Sequence, residues 1–125
     1  MLRPVCESPC SPVIAKYLYL TGSRFFQTHR PDSDFDYFAE DGEEIRTLLN
    51  ADGFTQTQAQ MSPFANTVAV FEKGKIHIQL VQDLKLKVRV QETIRFCGFG
   101  ELCKDKTFAR RLWGFAYVLL KGSKL

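Results

Sequence analysis

The 125-residue chain lacks several features that mark common classes of protein. No apolar run is long enough to cross a bilayer, and prolines interrupt the short apolar tract at the amino end, which argues against a signal peptide. No internal repeat or low-complexity segment occurs. We therefore expect an intracellular, cytoplasmic protein that does not associate with membranes.

Cysteines are few and are not spaced as in common zinc sites. They form two loose pairs, Cys6 with Cys10 and Cys97 with Cys103, and neither pair has the two-residue interval typical of tetrahedral zinc ligands. We interpret the four residues as free structural thiols, because a cytosolic chain normally keeps its thiols reduced. Spacing alone leaves a disulfide open.

The length of the chain bounds its organisation. It is sufficient for one domain with a modest core, which we assign to residues 13–125, after a flexible segment rich in proline and serine at 1–12. Strand and helix patterns alternate along the chain, with a core at about 17–83 and a helical part at 84–125. We expect an α/β fold of the α+β type, in which helices flank a small mixed sheet of about four strands.

Hydrophobic periodicity predicts the individual elements. The "LKLKVRV" run also alternates as a strand would, so the helix that contains it is the least distinct. The predicted elements are strands at 17–20 and 35–39, a helix within "DGEEIRTLLNADGF", two strands of a hairpin around Lys73-Gly74, and helices at 84–96 and 105–121.

The last predicted helix carries apolar residues at helical spacing. This spacing predicts that one face of the helix packs on the core, and we expect Trp113 to pack rather than to bind a ligand. The predicted core-facing residues are Phe108, Leu112, Phe115, Ala116 and Leu119.

Charge is distributed unevenly, although the net charge is only +3. Residues 101–125 hold six Lys or Arg against two acids. An acidic centre and a basic carboxyl-terminal segment suggest a metal site beside an anion-binding surface, or else a solvated surface with uneven charge. Half of the acids fall within residues 32–44: Asp32, Asp34, Asp36, Glu40, Asp41, Glu43 and Glu44.

Two aspartates stand in a segment that is otherwise typical of a strand. Residues i and i+2 of a strand project from one face, so Asp34 and Asp36 place two carboxylates side by side, while Phe35 and Tyr37 point to the opposite, buried face. Such a pair repels itself unless a cation lies between. Because oxygen ligands suit Mg²⁺ or Mn²⁺, the pair predicts a metal site.

A Gly-Ser pair, Gly22-Ser23, follows the first predicted strand. Glycine lets the backbone approach an anion closely, and the amides of the following turn, together with the Ser23 hydroxyl, can hold phosphate. A phosphate site beside metal carboxylates indicates nucleotide chemistry. The alternative is that Ser23 only caps a helix and that Arg24 pairs with Asp32.

The whole stretch "GSRFFQTHRPDSDFDYF" resembles the signature of the minimal nucleotidyltransferases within the DNA polymerase beta-like nucleotidyltransferase superfamily. The order of elements over about residues 17–83 also resembles the small mixed-sheet core of that family. The resemblance implies transfer of a nucleoside monophosphate from a nucleoside triphosphate, such as ATP, to an acceptor hydroxyl or phosphate, with release of pyrophosphate.

The same resemblance implies roles for individual residues. Gly22 and Ser23 would hold the leaving phosphates, and Arg24 would add positive charge to that nucleotide-binding site. Asp34 and Asp36 would hold Mg²⁺ or Mn²⁺ for an in-line displacement.

The strand "GKIHIQLV" departs from the family, which carries a third carboxylate there. Alternation places His77 and Gln79 on one face of this strand, opposite its apolar residues, with His77 at the expected position. Histidine can ligate a metal or act as a base near neutral pH, so we include His77 among the catalytic candidates. A purely structural histidine is the alternative, and Asp83 is a further substitute.

Three hypotheses of function follow. The chain is an active nucleotidyltransferase that modifies a protein, a nucleic-acid end or a small molecule; or a degenerate, antitoxin-like or regulatory module that binds a nucleotide or a partner; or a nucleic-acid-binding protein. The acidic centre and the lack of an aromatic and basic stripe disfavour the third. A partner protein or a homo-oligomer is compatible with the basic segment.

Overall fold

The structure is a computed structural model that describes residues 10–57 and 67–121. Most of the segment expected to be flexible, 1–12, lies outside these ranges, as does Cys6. Cys97 and Cys103 are free thiols, as expected.

The fold is mixed, with helices on both faces of one sheet, as the sequence predicted. The strands are β1 (Tyr19–Thr21), β2 (Phe35–Glu40), β3 (Thr55–Thr57), β4 (Thr67–Lys73) and β5 (Ile76–Val81). The helices are α1 (Pro12–Ala15), α2 (Gly22–Phe25), α3 (Glu43–Ala51), α4 (Leu84–Phe96) and α5 (Lys106–Lys121), with a 3-10 helix at Gly100–Lys104.

The strands form one five-stranded sheet in the order β1-β2-β5-β4-β3. Of the four strand pairs within the described residues, β2 with β5 is parallel and the other three are antiparallel. The sheet has one strand more than the four expected, because the three-residue β3 pairs with the outer edge of β4. A run of three polar residues such as "TQT" has no hydrophobic periodicity, so the sequence does not predict β3.

One face of the sheet packs against α1 and α3. The apolar residues of β2 and β5 that alternate with polar ones meet the buried side chains of these helices here, as their spacing predicted. This cluster consists of Ile14, Leu18, Tyr37, Ala39, Ile45, Leu49, Phe54, Ala69, Phe71, Ile78 and Leu80.

The opposite face is covered by α2, α4 and α5. Trp113 of α5 packs edge-on against Phe26 and Phe38, which confirms its packing role. Because this second layer exists, Phe38 in β2 is buried although it lies on the same face as Asp36. The buried cluster of the layer consists of Phe25, Phe26, Leu86, Val90, Ile94, Ala116 and Tyr117.

The core-facing side of α5 differs from the prediction. Phe108, Phe115 and Leu119 are 43%, 65% and 58% exposed, so the expected stripe lies mostly in solvent. The prediction is confirmed for Ala116, which is buried, and for Leu112, which is partly buried, and the helix also turns Tyr117 and Trp113 toward the second layer. Apolar residues surround much of this helix, so periodicity alone could not show which side meets the core.

The hairpin also differs by one residue from the prediction. Gly74 and Lys75 form the two-residue turn, so Lys73 pairs with Ile76 and Glu72 pairs with His77. Gly74 adopts a φ of +59°, which suits glycine at the first turn position of a tight hairpin.

Within the described ranges, none of the helices combines the length and the apolar character needed to span a membrane.

Helix α4 carries two buried polar residues, one of which ties the second layer to the sheet and the other to α5. Gln91 is 1% exposed, and its Nε2 donates to the Leu20 carbonyl of β1 at 2.8 Å. Lys87, one turn earlier, is also 1% exposed, and its ammonium lies 5.4 Å from the centre of the Tyr117 ring. Burial lowers the pKa of Lys87 from 10.5 to about 8, and the nearby charge of Asp83 opposes that shift only in part.

We expect Lys87→Met to stabilise the protein near pH 7 by on the order of 2 kcal/mol, because the folded state must otherwise hold a desolvated charge. The folded pKa of about 8 lies below the unfolded value of 10.5. The destabilising effect of Lys87 is therefore complete below pH 8 and disappears as the pH rises toward 10.5. The unfolding temperatures of the two proteins should accordingly converge from pH 8 upward.

Lys85→Met is the matched control, because Lys85 lies on the same helix but is exposed. It should give a small shift that does not change with pH. A gap between Lys87→Met and the natural protein that stays constant from pH 6.5 to 9.5 would contradict the assignment of a shifted pKa to Lys87.

Candidate functional site

One row of polar side chains crosses the sheet on the face that α2, α4 and α5 cover. Thr21 of β1 pairs with Asp36 of β2, Asp36 pairs with His77 of β5, and His77 pairs with Glu72 of β4. Residues paired directly across strands share a face, so the four side chains project to the same side. Thr21 is buried, whereas Asp36, His77 and Glu72 are half-buried. The row is therefore closed to solvent at Thr21 and partly exposed to solvent at Asp36, His77 and Glu72.

The Gly-Ser turn lies directly against this row. Gly22 has a φ of +69°, and a Cβ at this position would lie 2.5 Å from Oδ2 and 3.0 Å from Cβ of Asp36. Both the left-handed backbone and the lack of space require glycine here. Ser23 follows as the second residue of α2 and is half-buried. The structure therefore brings the two halves of the sequence motif into contact.

His77 lies between two carboxylates. Its Nδ1 is 3.0 Å from Oε1 of Glu72, and its Nε2 is 3.4 Å from Oδ2 of Asp34. Asp34 immediately precedes β2, and its side chain is 52% exposed, while that of His77 is 27% exposed. The expected neighbourhood of Asp34, Asp36 and His77 is present, and Glu72 joins it from β4.

Arg24 holds the loop that leads to Asp34. Its Nη2 donates to the carbonyls of Ser33 at 3.0 Å and Pro31 at 3.3 Å, and its guanidinium carbon lies 3.9 Å from the centre of the Phe35 ring. These contacts differ from the alternative pairing with the Asp32 side chain. Lys75 also braces the loop, since its Nζ donates to the Asp32 carbonyl at 2.8 Å. Arg24 thus fixes the backbone next to the first aspartate.

Gln79, on the same face as His77, and the substitute Asp83 both have local structural partners. Gln79 lies two residues beyond His77, and its Oε1 accepts a hydrogen bond from the Thr67 hydroxyl at 3.1 Å. Asp83 is the N-cap of α4, where its Oδ1 accepts from the Leu86 amide at 3.4 Å. Capping an N-terminus accounts for Asp83 without a role in the site.

Asp34, Asp36 and His77 are the candidate ligands for a divalent cation. Nε2 of His77 lies 3.4 Å from Oδ2 of Asp34, and Asp36 pairs with His77 across the strands. Among residues 10–57 and 67–121, no three His, Cys, Asp or Glu side chains already converge on one metal position. Mg²⁺ is commonly bound by one or two carboxylates, with water and substrate phosphates as its other ligands.

Glu72 is the member of the row that the sequence did not reveal. It lies on the strand before the hairpin, and its role depends on the register of that hairpin. Placing the turn at Lys73-Gly74 would pair Glu72 with Lys75, whereas the observed turn at Gly74-Lys75 pairs it with His77. The available signal was the glycine, which favours the first position of a two-residue turn.

Comparison with models of protein families, with curated proteins and with solved structures gave no significant match.

We expect Gly22→Ala to destabilise the fold and displace Asp36. The left-handed backbone costs an alanine about 1–2 kcal/mol, and the contact with the Asp36 carboxylate adds to this cost. Urea unfolding measures the change in free energy, and titration with ATP and Mg²⁺, the ligands that the family resemblance implies, tests whether the displaced carboxylate belongs to a binding site.

Gly74→Ala separates strain from crowding, because Gly74 also has a left-handed φ, of +59°, but has nothing within 4 Å of its virtual Cβ. Gly74→Ala should lower the free energy of unfolding only by the cost of the left-handed backbone, and it should not change the binding of ATP and Mg²⁺. Equal effects of the two substitutions on stability and on affinity would argue against a functional contact between Gly22 and Asp36.

Proposed function

We propose that this protein is a metal-dependent nucleotidyltransferase, which moves a nucleoside monophosphate from a nucleoside triphosphate to an acceptor. The observation that carries the proposal is the contact of Gly22 with Asp36, which leaves no room for a Cβ. A Gly-Ser turn and two aspartates are each common in proteins. Here the turn contacts Asp36, and Asp36 belongs to a row of ionisable side chains across the sheet. This arrangement supports a single site that would bind phosphate and a cation together.

The residues of the turn would take the leaving phosphates. The turn lies directly against Asp36, so phosphates held there would lie beside the cation, and the Ser23 hydroxyl stands at the next position. Arg24 supports this arrangement by holding the carbonyl of Ser33, which precedes the first aspartate. Arg24 would therefore act mainly by holding the loop before Asp34 in place, and its positive charge would also attract the phosphates.

Asp34 and Asp36 would hold Mg²⁺ or Mn²⁺. When bound, such an ion neutralises the triphosphate oxygens and the charge that develops during displacement. Asp34 and Asp36 would orient the triphosphate through this ion. His77 occupies the place of a third carboxylate, in register with Asp36, and supplies either a ligand or a base. An acceptor hydroxyl or phosphate completes the reaction as nucleophile, and pyrophosphate leaves.

We expect Asp34→Asn combined with Asp36→Asn to lower metal-dependent affinity for nucleoside triphosphate by tenfold or more, about 1.4 kcal/mol or above. Both substitutions keep the shape of the side chain and remove its charge. Calorimetric titration with ATP, GTP, CTP and UTP, each with Mg²⁺, Mn²⁺ or a chelator, measures the affinity. Transfer of an α-labelled nucleotide in a cell extract, with release of pyrophosphate, measures the reaction.

Asp32→Asn combined with Glu40→Gln is the matched control, since both residues are exposed and the same two charges are removed nearby. The control should retain binding and transfer. Unchanged affinity in the Asp34 and Asp36 variant, or an equal loss in the control, would rule out the proposed site.

A second candidate function, docking of a partner, rests on the exposed face of α5. Phe108, Phe115, Val118 and Leu119 lie on one side of this helix and are 43–65% exposed. Exposed apolar stripes of this kind often mark interaction surfaces. Arg111 is exposed beside this stripe and Arg110 on the opposite side of the helix, so the charge next to the stripe, from Arg111, complements an acidic amphipathic helix of another protein.

We expect a synthetic acidic amphipathic helix, built from leucine and glutamate in heptads, to bind this face with an affinity that falls as salt rises. Phe115→Gln and the pair Arg110→Ala with Arg111→Ala should each weaken binding several-fold. Nucleotide affinity should not change in either variant. Fluorescence anisotropy with the labelled peptide measures binding.

Val13→Gln is the control, because Val13 is 54% exposed on α1, on the other side of the sheet. It should leave peptide binding intact. If the peptide does not bind and the protein self-associates through Phe115, the occupant of this face is a second copy of the chain. If the peptide does not bind and anionic vesicles do, in a way that Phe115→Gln abolishes, the occupant is a lipid surface.

A further inference from the structure

The carboxyl-terminal part of α4 lies against the chain on both sides of the Gly-Ser turn. Gln91 donates from Nε2 to the carbonyl of Leu20, two residues before Gly22, at 2.8 Å. Arg95 follows one turn later on the same side of the helix. Its guanidinium carbon lies 5.1 Å from the centre of the Phe25 ring, three residues after Gly22. Helix α4 therefore brings a cationic side chain next to the turn.

The position of Arg95 is set by packing. Phe25, under its guanidinium, is 1% exposed, and Arg95 itself is half-buried. The segment after α4 continues the same wall, because a Cβ at Gly100 would lie 3.3 Å from the carbonyl oxygen of Phe26 at the end of α2. The Arg95 guanidinium is therefore held beside the turn on a buried aromatic ring, an arrangement that stabilises a cation.

The charge of Arg95 has no acidic partner in the described part of the chain. Within residues 10–57 and 67–121, its guanidinium forms no ion pair and donates no hydrogen bond. Glu101, on the segment that follows α4, pairs with Lys104 at 2.9 Å instead. A guanidinium carries five N–H donors in a planar fork that matches phosphate oxygens, so Arg95 retains the capacity to bind such an anion.

Arg24, the arginine that the sequence predicted beside the phosphates, is engaged with the neighbouring loop. Its Nη2 donates to the carbonyls of Ser33 and Pro31, and its Nε is buried. These two nitrogens are therefore not available to a ligand. A triphosphate at the turn would carry several negative charges, which favours a further cation from another element of the fold.

We propose that Arg95 is a phosphate-binding residue of the nucleotide site, whose guanidinium binds the terminal phosphates of the nucleoside triphosphate. The inference rests on the proposed function for the identity of this ligand. It assigns to α4 the phosphate-binding cation that the sequence placed in α2. The stem of Arg95 keeps its place over Phe25, and the N–H groups form charge-assisted hydrogen bonds with the phosphate oxygens.

The contribution of Arg95 should depend on the number of phosphates in the ligand. We expect Arg95→Met, which keeps an apolar side chain over Phe25, to lower the affinity for ATP with Mg²⁺ by roughly tenfold or more, as loss of a hydrogen-bonded charge does. The affinity for AMP should fall much less. Arg95→Lys keeps the charge without the fork and should recover part of the affinity for ATP. Calorimetric titration with ATP, ADP and AMP measures these differences, and thermal unfolding checks that each variant is folded.

Arg89→Met is the matched control, because Arg89 is also half-buried on α4 but lies on another side of the helix. It should leave the affinity for each nucleotide unchanged. An ATP affinity that does not respond to Arg95→Met would overturn the inference. So would equal losses for ATP, ADP and AMP in that variant, or the same loss of ATP affinity in Arg89→Met.

Inorganic tripolyphosphate separates this inference from the proposed function, since it carries the phosphates without the nucleoside. Its binding should also weaken in Arg95→Met. If only the proposed function is wrong, ATP affinity does not depend on Asp34 and Asp36, yet tripolyphosphate still binds through Arg95. If only the inference is wrong, ATP affinity depends on the two aspartates, and neither ligand responds to Arg95→Met. A natural protein that binds neither ATP nor tripolyphosphate contradicts both.

Discussion

The parallel pairing of β2 with β5 is the constraint on which the site depends. These strands are separated in the chain by α3, β3 and β4, yet they pair residue for residue from Phe35 with Ile76 to Glu40 with Val81. Slippage by one residue would turn His77 toward the apolar layer and bring an isoleucine beside Asp36. The buried clusters on both faces oppose such a slip, because each fixes the orientation of alternate side chains.

The second layer of helices explains how a polar row persists within a well-packed sheet. Helices α4 and α5 bury the carboxyl-terminal half of β2, where Phe38 meets Trp113, but Asp36 and His77 stay half-buried near the amino-terminal ends of their strands. Ionisable groups at that boundary retain contact with water, which limits the cost of desolvation. Gly22 lies against Asp36 next to β1 and has no side chain that would displace the carboxylate.

Alternation along single strands was sufficient to predict much of this arrangement. It set His77 and Gln79 opposite the apolar residues of β5, and it set Asp36 opposite Tyr37 on β2, as the structure has them. Features that depend on contacts between elements were not predictable in this way. The position of Glu72 depends on a one-residue difference in the hairpin turn. The side of α5 that meets the core depends on where α4 lies, since Phe108 and Phe115 satisfy the helical period as well as Ala116 does.

The register of the hairpin also determines where negative charge lies around His77. Asp34 and Glu72 flank the imidazole, and Asp36 pairs with His77 across the strands, so three carboxylates lie around one ring. Glu72 and Asp34 contact different nitrogens of that ring, which keeps the two carboxylates apart. This separation limits the repulsion that three adjacent carboxylates would exert in the folded chain without a cation. The proposed cation site would therefore have the charge of three carboxylates nearby, one of them supplied by β4 through the observed turn at Gly74-Lys75.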